Sequence, residues 1–269
     1  MITIQLTSPS ITIIGDPHST PALPSLIHRA AAAGASAAIL LGDIELRDSA
    51  WTRHRLAELD IAAEESNISV YLLLGNHDDY AIADRRRAET VNAEMPSAHS
   101  LTGHVRLLPH REVVIITLTT PSGVSRRVIA VPGAADFWPS AVEQWKIEST
   151  MPPELTAAFV IELDAQPIDV MLSHDAPTSL ETPAVAKMRA RSGRRIDART
   201  RDEVRESAAI VDTYYSHAHP TLAIHGHFHV ADDLTDPVTG NRLMSLNRAG
   251  QIGGAVLLDL ETLSTTALR

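Results

Sequence analysis

Five apolar runs in this chain end in the same way. "ITIIGD" (11–16), "SAAILLGD" (36–43), "SVYLLLGNHDD" (69–79), "IDVMLSHDAP" (168–177) and "TLAIHGHFH" (221–229) are each β-branched or leucine-rich and stop at ionisable residues. Continuous apolar runs this short fit strands buried on both faces. Helix signals separate the first three. "TPALPSLIHRAAAAGA" (20–35) offers Thr20 as an N-cap and Gly34 as a stop, and Trp51 to Ser66 carries Leu56, Leu59 and Ile61 as apolar positions. Strand and helix in alternation predict a parallel sheet.

The grammar then changes. "HVRLLP", "REVVIITLTT" and "RRVIAVPG" read as consecutive strands with turns at Pro121–Gly123 and Pro132–Gly133. Residues 140–165 read as helical with a break at Pro152–Pro153, and residues 182–215 as helical or irregular and heavily charged. "TLAIHGHFH", "NRLMSLNRAG" and "GAVLLDL" read as three closing strands. No repeat, low-complexity tract or linker interrupts the 269 residues, so residues 1–269 are expected to form one domain, with a lid or insert around 178–215.

Composition narrows the chemistry. Apolar residues make up 44% and charged residues 21%, ordinary for a soluble globular chain. Only 4% is aromatic, so the core must rely on Ala, Leu, Ile and Val. A formal charge of −10 repels polynucleotides and anionic membranes, which disfavours long duplex nucleic acid as a partner. Cysteine is absent, so any metal must be held by nitrogen and oxygen. The N-terminus lacks the basic-then-apolar order of a secretory signal and no run is long enough to span a bilayer, which makes a cytoplasmic location the default expectation.

The polar groups after the five runs are Asp16 and His18; Asp43; Asn76, His77 and Asp78; His174; and His227 and His229. In open α/β sheets functional groups collect at the carboxyl ends of strands, so these five ends should face one crevice. Gly15, Gly42, Gly75 and Gly226 would let the backbone turn sharply there. Two divalent cations need about four ligands each, imidazoles mixed with hard oxygens. Asp43, with two oxygens, suits a bridging place. On a strand, His227 and His229 would share one face and Phe228 would turn away. His225 has their parity, but Gly226 interrupts the strand, so it is not expected to be a ligand. Alone, Asp16 and Asp43 would read as helix caps. His28, His54, His99, His104, His110, His217 and His219 read as exposed or structural.

"GDPH", "GD", "GNHD", "SHDAP" and "GHFH" occur here in the order of the motifs of the calcineurin-like metallophosphoesterases, and the chain resembles that family over residues 15 to 229. The resemblance implies an α/β fold, a four-layer αββα sandwich of two mixed sheets flanked by helices. It implies one metal held by Asp16, His18, Asp43 and His229, and a second held by Asp43, Asn76, His174 and His227. Manganese, iron and zinc all suit such sites. A water or hydroxide between the metals would attack phosphorus in line, with His77 stabilising developing charge or protonating the leaving oxygen.

The chain departs from the family's serine/threonine phosphatase branch. Leu46 stands where that branch has the aspartate that orients its catalytic histidine, so another group must orient His77, and Asp78 is the candidate. Arg47 stands at a phosphate-contacting position. The third motif is "GNHD" rather than "GNHE".

The expected activity is hydrolysis of a phosphate mono- or diester, with a small phosphorylated metabolite or nucleotide favoured. A nuclease acting on ends or single strands is the alternative, and needs the basic segments "RRR" (85–87) and "KMRARSGRRIDARTR" (187–201) to line a groove. Those segments fit either an arginine-rich lid or a solvated helix face balanced by Asp197, Asp202 and Glu203. A non-catalytic binding scaffold of the same fold is disfavoured because every motif residue is present.

Overall fold

The computed structural model describes residues 2–90, 99–137 and 151–268. Along the chain the strands are β1 (Ile2–Gln5), β2 (Ser10–Gly15), β3 (Ala35–Leu41), β4 (Ser69–Leu73), β5 (His99–Ser100), β6 (Val105–Leu107) and β7 (Val114–Thr119). There follow β8 (Ser125–Val131), β9 (Val170–Ser173), β10 (Leu222–His225), β11 (Asp232–Thr235), β12 (Arg242–Ser245), β13 (Ala255–Asp259) and β14 (Thr265–Ala267). The helices are α1 (Leu23–Ala32), α2 (Ala50–Ser66), α3 (Tyr80–Thr90), α4 (Ala157–Ala165), α5 (Pro183–Gly193) and α6 (Ala198–Ala218).

Two sheets form, in the orders β14-β13-β2-β3-β4-β6-β5 and β1-β7-β8-β9-β10-β12-β11. In the first, β2, β3, β4 and β6 are parallel and both edges are antiparallel. In the second, β8, β9, β10 and β12 are parallel. The sheets are therefore mixed rather than wholly parallel.

Side-chain alternation sorts the core into layers. Ile11 and Ile13 of β2 and Ile39 and Leu41 of β3 face inward, against Ile116, Val128, Val170 and Ile224 of the other sheet. Their neighbours Ile14, Ala38 and Leu40 face outward and pack under Leu26, Ile27, Leu59 and Ala63 of α1 and α2. On the far side Ile129, Met171 and Ala223 pack under Leu163 of α4 and Val211 and Tyr214 of α6. Because strands in both sheets bury both faces, the order is helix, sheet, sheet, helix, the four-layer αββα sandwich expected from the sequence.

Local chemistry sets several boundaries. Ser49, Thr156, Thr182 and Asp197 each accept a backbone N–H as N-caps of α2, α4, α5 and α6. Thr20 does not cap α1; Ala22 occupies that place, with a proline in the first turn. Gly34, at φ +92°, closes α1 as expected. Of the helix expected from 140 to 165, residues 151–156 are not helical and α4 occupies the end, while residues 140–150 lie outside the described ones. The charged stretch 182–215 resolves into α5 and α6.

Candidate metal centre

Five strand ends meet at one edge of the sandwich. Asp16 follows β2, Asp43 follows β3 and Asn76 follows β4, all from one sheet; His174 follows β9 and His227 and His229 follow β10, from the other. The carboxylates are oriented by amides of the other motifs. His227 N–H donates to both Asp16 oxygens (2.8 and 3.0 Å), His77 N–H to Asp43 Oδ1 (2.9 Å), and His18 N–H to the Asp43 carbonyl (2.7 Å).

The backbone there is strained. Asp16, His18, Asp43, His227 and His229 all have positive φ, between 30° and 68°. Each such residue costs on the order of 1–3 kcal/mol and persists only where its surroundings hold it, which is typical of functional sites. This revises how the last pair arrives. β10 ends at His225, so His227 and His229 do not share a strand face; left-handed turns deliver both. Nor does Phe228 turn away, since it lines the same small pocket.

Gly42 takes φ +88°, and a Cβ there would lie 2.3 Å from His174 Nδ1. Gly75 needs no left-handed backbone, yet its Cβ would lie 2.3 Å from Asp43 Oδ1 and 2.6 Å from His174 Nε2. Its glycine is required by close approach alone.

The donor atoms converge. Asp16, His18, Asp43 and His229 each offer a ligand atom, all within 4.8 Å of one another. His18 Nε2 lies 2.9 Å from His229 Nε2 and 3.5 Å from Asp43 Oδ2. On the other side of Asp43, His174 Nε2 lies 2.9 Å from Asn76 Oδ1 and 3.3 Å from Asp43 Oδ1. His174 Nδ1 is 2.6 Å from the Leu41 carbonyl, which fixes the proton on Nδ1. The Nε2 lone pair then faces two oxygen acceptors, an arrangement that calls for a cation between them. His227, whose ring centroid is 5.1 Å from that of His174, has its Nε2 buried with no hydrogen-bond partner among the described residues. An unpartnered buried nitrogen beside three other donors fits a metal ligand. Asp43 thus belongs to one converging group of four donors and on its other side borders His174, itself against Asn76, a nitrogen and oxygen set suited to borderline divalent cations.

Electrostatics agree. Burial, then His174 beside it, holds the His227 imidazolium well below its usual range. Burial, with His18 adjacent, brings His229 down to about 4. Both rings therefore keep free lone pairs at neutral pH. Burial raises Asp16 to about 7, against the pull of His174 and with the push of Asp43. Burial alone would lower His174, but Asp43 and Asp16 outweigh it and lift it to about 10, so a proton occupies its Nε2 when no metal does. Asp43 also resists its own burial: His174, His77 and His18 hold it well below the carboxylate range.

The remaining site residues divide. His77 reaches the pocket of about 180 Å³ over the donors, with its ring 5.3 Å from that of His18. Asp78 does not turn to that ring. Its carboxylate is buried and accepts from Asp43 N–H (3.0 Å), Gly75 N–H (2.8 Å) and Leu46 N–H (2.9 Å), tying the second motif to the third. The expectation that Asp78 orients His77 gives way to a structural role, because three amides already claim the carboxylate. Arg47 lines a different depression, with Arg53, Arg85 and Arg86 between α2 and α3, and not the pocket over the donors.

Three contributors were not foreseen. Glu45 lies 3.5 Å from His18 Nδ1 and is held below its usual range by that contact. By accepting from the ring nitrogen on the far side from the donors, it orients the His18 ring. Asp136 and Phe137, after β8, line the pocket, and the Phe137 ring stacks on His227 at 5.4 Å. A sixth strand end, "AVPGAADF", was the only available signal for them.

A sandwich of two sheets with a carboxylate-bridged cage at one edge defines a metal-dependent hydrolase of the dinuclear type. The profile of the calcineurin-like phosphoesterases matches residues 9–231, and the chain belongs to that family. Among solved structures it is similar to a dimetal phosphatase from Danio rerio, at 13% identity and a TM-score of 0.53, over 93% of this chain and 92% of the other. That likeness concerns the fold. No curated protein sequence matches the chain.

Proposed function

We propose that the chain hydrolyses a phosphate ester of a small metabolite or nucleotide, with manganese, iron or zinc as its cations. One observation supports the reading best: the Asp43 carboxylate lies between His18 Nε2 (3.5 Å) and His174 Nε2 (3.3 Å), and the buried His227 Nε2 belongs to the ring beside His174. Asp16, His18, Asp43 and His229 would hold one cation, and Asp43, Asn76, His174 and His227 the other. Bound there, the cations would supply Lewis acidity to a phosphoryl oxygen and acidify an attacking water.

The chain's own residues do the rest. Asn76 contributes a neutral oxygen, which limits the negative charge facing an anionic substrate. Phe137 and Phe228 exclude water from one wall of the pocket. His77, part-exposed and lining the pocket, would donate a proton to the departing oxygen. The small pocket favours a compact phosphoryl group over a polynucleotide groove, which keeps the nuclease reading second.

The test is a substrate panel: 4-nitrophenyl phosphate, bis-4-nitrophenyl phosphate, cyclic nucleotides and single-stranded DNA, assayed with manganese after metal stripping. His77→Ala should keep its metals and lose about 10²–10⁴-fold in turnover. Equal turnover in wild type and His77→Ala would remove His77 from the mechanism, and preference for single-stranded DNA would favour the nuclease.

A further inference from the structure

A cavity of about 1040 Å³ lies between α5 and α6, next to the metal centre but outside it. Phe137 lines both spaces. Helix α5 is a shared wall: Met188 and Ser192 face the metal pocket, while Arg189, Ala190 and Gly193 face the cavity. The cavity's apolar surface comes from Phe137, Ile196, Val204 and small alanines. Arg189, Arg194, Arg201 and Arg205 stand around it, and no acidic residue is among the described residues that line it. On a chain carrying −10, four guanidiniums around one apolar space are a local reversal of charge.

We infer that this cavity receives the alcohol portion of the substrate, and that this portion carries an apolar body and a further anionic group. The inference rests on the phosphoesterase reading above. The pocket over the metal donors, at about 180 Å³, holds a phosphoryl group and little more, so the rest of the ester must lie elsewhere. The α5–α6 cavity shares the Phe137 side chain with it and has the volume of a site for an organic molecule. Its chemistry selects the occupant. The apolar lining favours a hydrocarbon or aromatic body. Guanidiniums pair with carboxylate, sulfonate or phosphate oxygens in a forked geometry. Two of the four are committed to the scaffold: Arg189 bonds Glu181 (2.6 Å) and covers the Phe228 ring, and Arg201 bonds the Gly193 and Ile196 carbonyls. Arg194 and Arg205 are exposed at the rim, and each has one polar side-chain contact among the described residues, to the Ala190 carbonyl (3.3 Å) and Asp202 (3.4 Å), which makes them the anion-reading pair.

The experiment separates this inference from the activity. Binding of 1-anilinonaphthalene-8-sulfonate, an apolar body with one anionic group, is followed by fluorescence on the full chain. Ala190→Trp fills the cavity from an exposed helix position, and Arg194→Gln with Arg205→Gln removes the rim charge. Both variants should bind the dye at least tenfold more weakly than wild type, with unchanged circular dichroism. In parallel, both should raise KM at least tenfold for a sulfonated naphthyl phosphate and leave 4-nitrophenyl phosphate hydrolysis unaltered. If wild type hydrolyses neither ester, the phosphoesterase reading fails, and the dye titration still decides what the cavity binds. Equal dye affinity in all three proteins, or no saturable binding to wild type, overturns the inference.

Discussion

Asp78→Asn isolates the link between the second and third motifs. The carboxylate accepts three backbone N–H groups, two on Oδ2 and one on Oδ1. An amide has one oxygen, so its best orientation keeps the Asp43 and Gly75 amides and turns its NH₂ toward the Leu46 N–H. One buried donor then loses its acceptor, which costs about 1–3 kcal/mol. For a chain of this size that corresponds to a fall in Tm of roughly 2–12 °C. Burial raises Asp78 to about 6, with Asp43 adding to the rise, so the comparison belongs at pH 8, where the wild-type group is ionised. The assay is thermal unfolding of manganese-loaded wild type and variant, with metal content measured on the same samples. Because Leu46 lies three residues after Asp43 in the same segment, loosening its amide should also disturb Asp43, and metal affinity should fall together with Tm. A variant with unchanged Tm and full metal content but lost turnover would show that Asp78 acts on His77 after all, and would refute the scaffold argument.

Other outcomes follow from the same geometry. Gly75→Ala keeps an ordinary backbone but drives a methyl into Asp43 and His174, an overpacking cost of about 1–3 kcal/mol; elemental analysis should find the centre depleted. Asp43→Ala should abolish hydrolysis and bind neither cation tightly, and chelator should lower the Tm of wild type but not of this variant. At about 1,000 times Kd, one cation contributes about 4 kcal/mol, so the wild-type shift should be plain. Since His174 is raised to about 10 in the metal-free protein, cation uptake must displace its proton. Calorimetry in buffers of different ionisation enthalpy at pH 8 should detect about one proton released per chain, with affinity weakening as pH falls. Uptake without proton release would contradict the placement of His174 against Asp43.

The sequence by itself determined the strands that matter and the chemistry at their ends. Apolar runs with both faces buried can only be central strands, and a polar residue after each has nowhere to project but the carboxyl edge. The absence of cysteine likewise confined any metal to nitrogen and oxygen donors. Elements with weaker patterns escaped notice. Among the described side chains of helix α3, Tyr80, Ile82 and Ala83 are the buried ones in a highly charged segment, and β11 is polar on its exposed edge, so neither shows a legible period. Only tertiary structure could decide what Asp78 does, because its three amide partners come from residues 43, 46 and 75, brought together by the pairing of β3 with β4. The same holds for His227 and His229, which reach the centre through left-handed turns that no side-chain alternation foretells. Phe137 and the α5–α6 cavity exist only as packing between distant segments. Periodicity encodes which face of an element is buried; it carries no record of which segments meet beyond it.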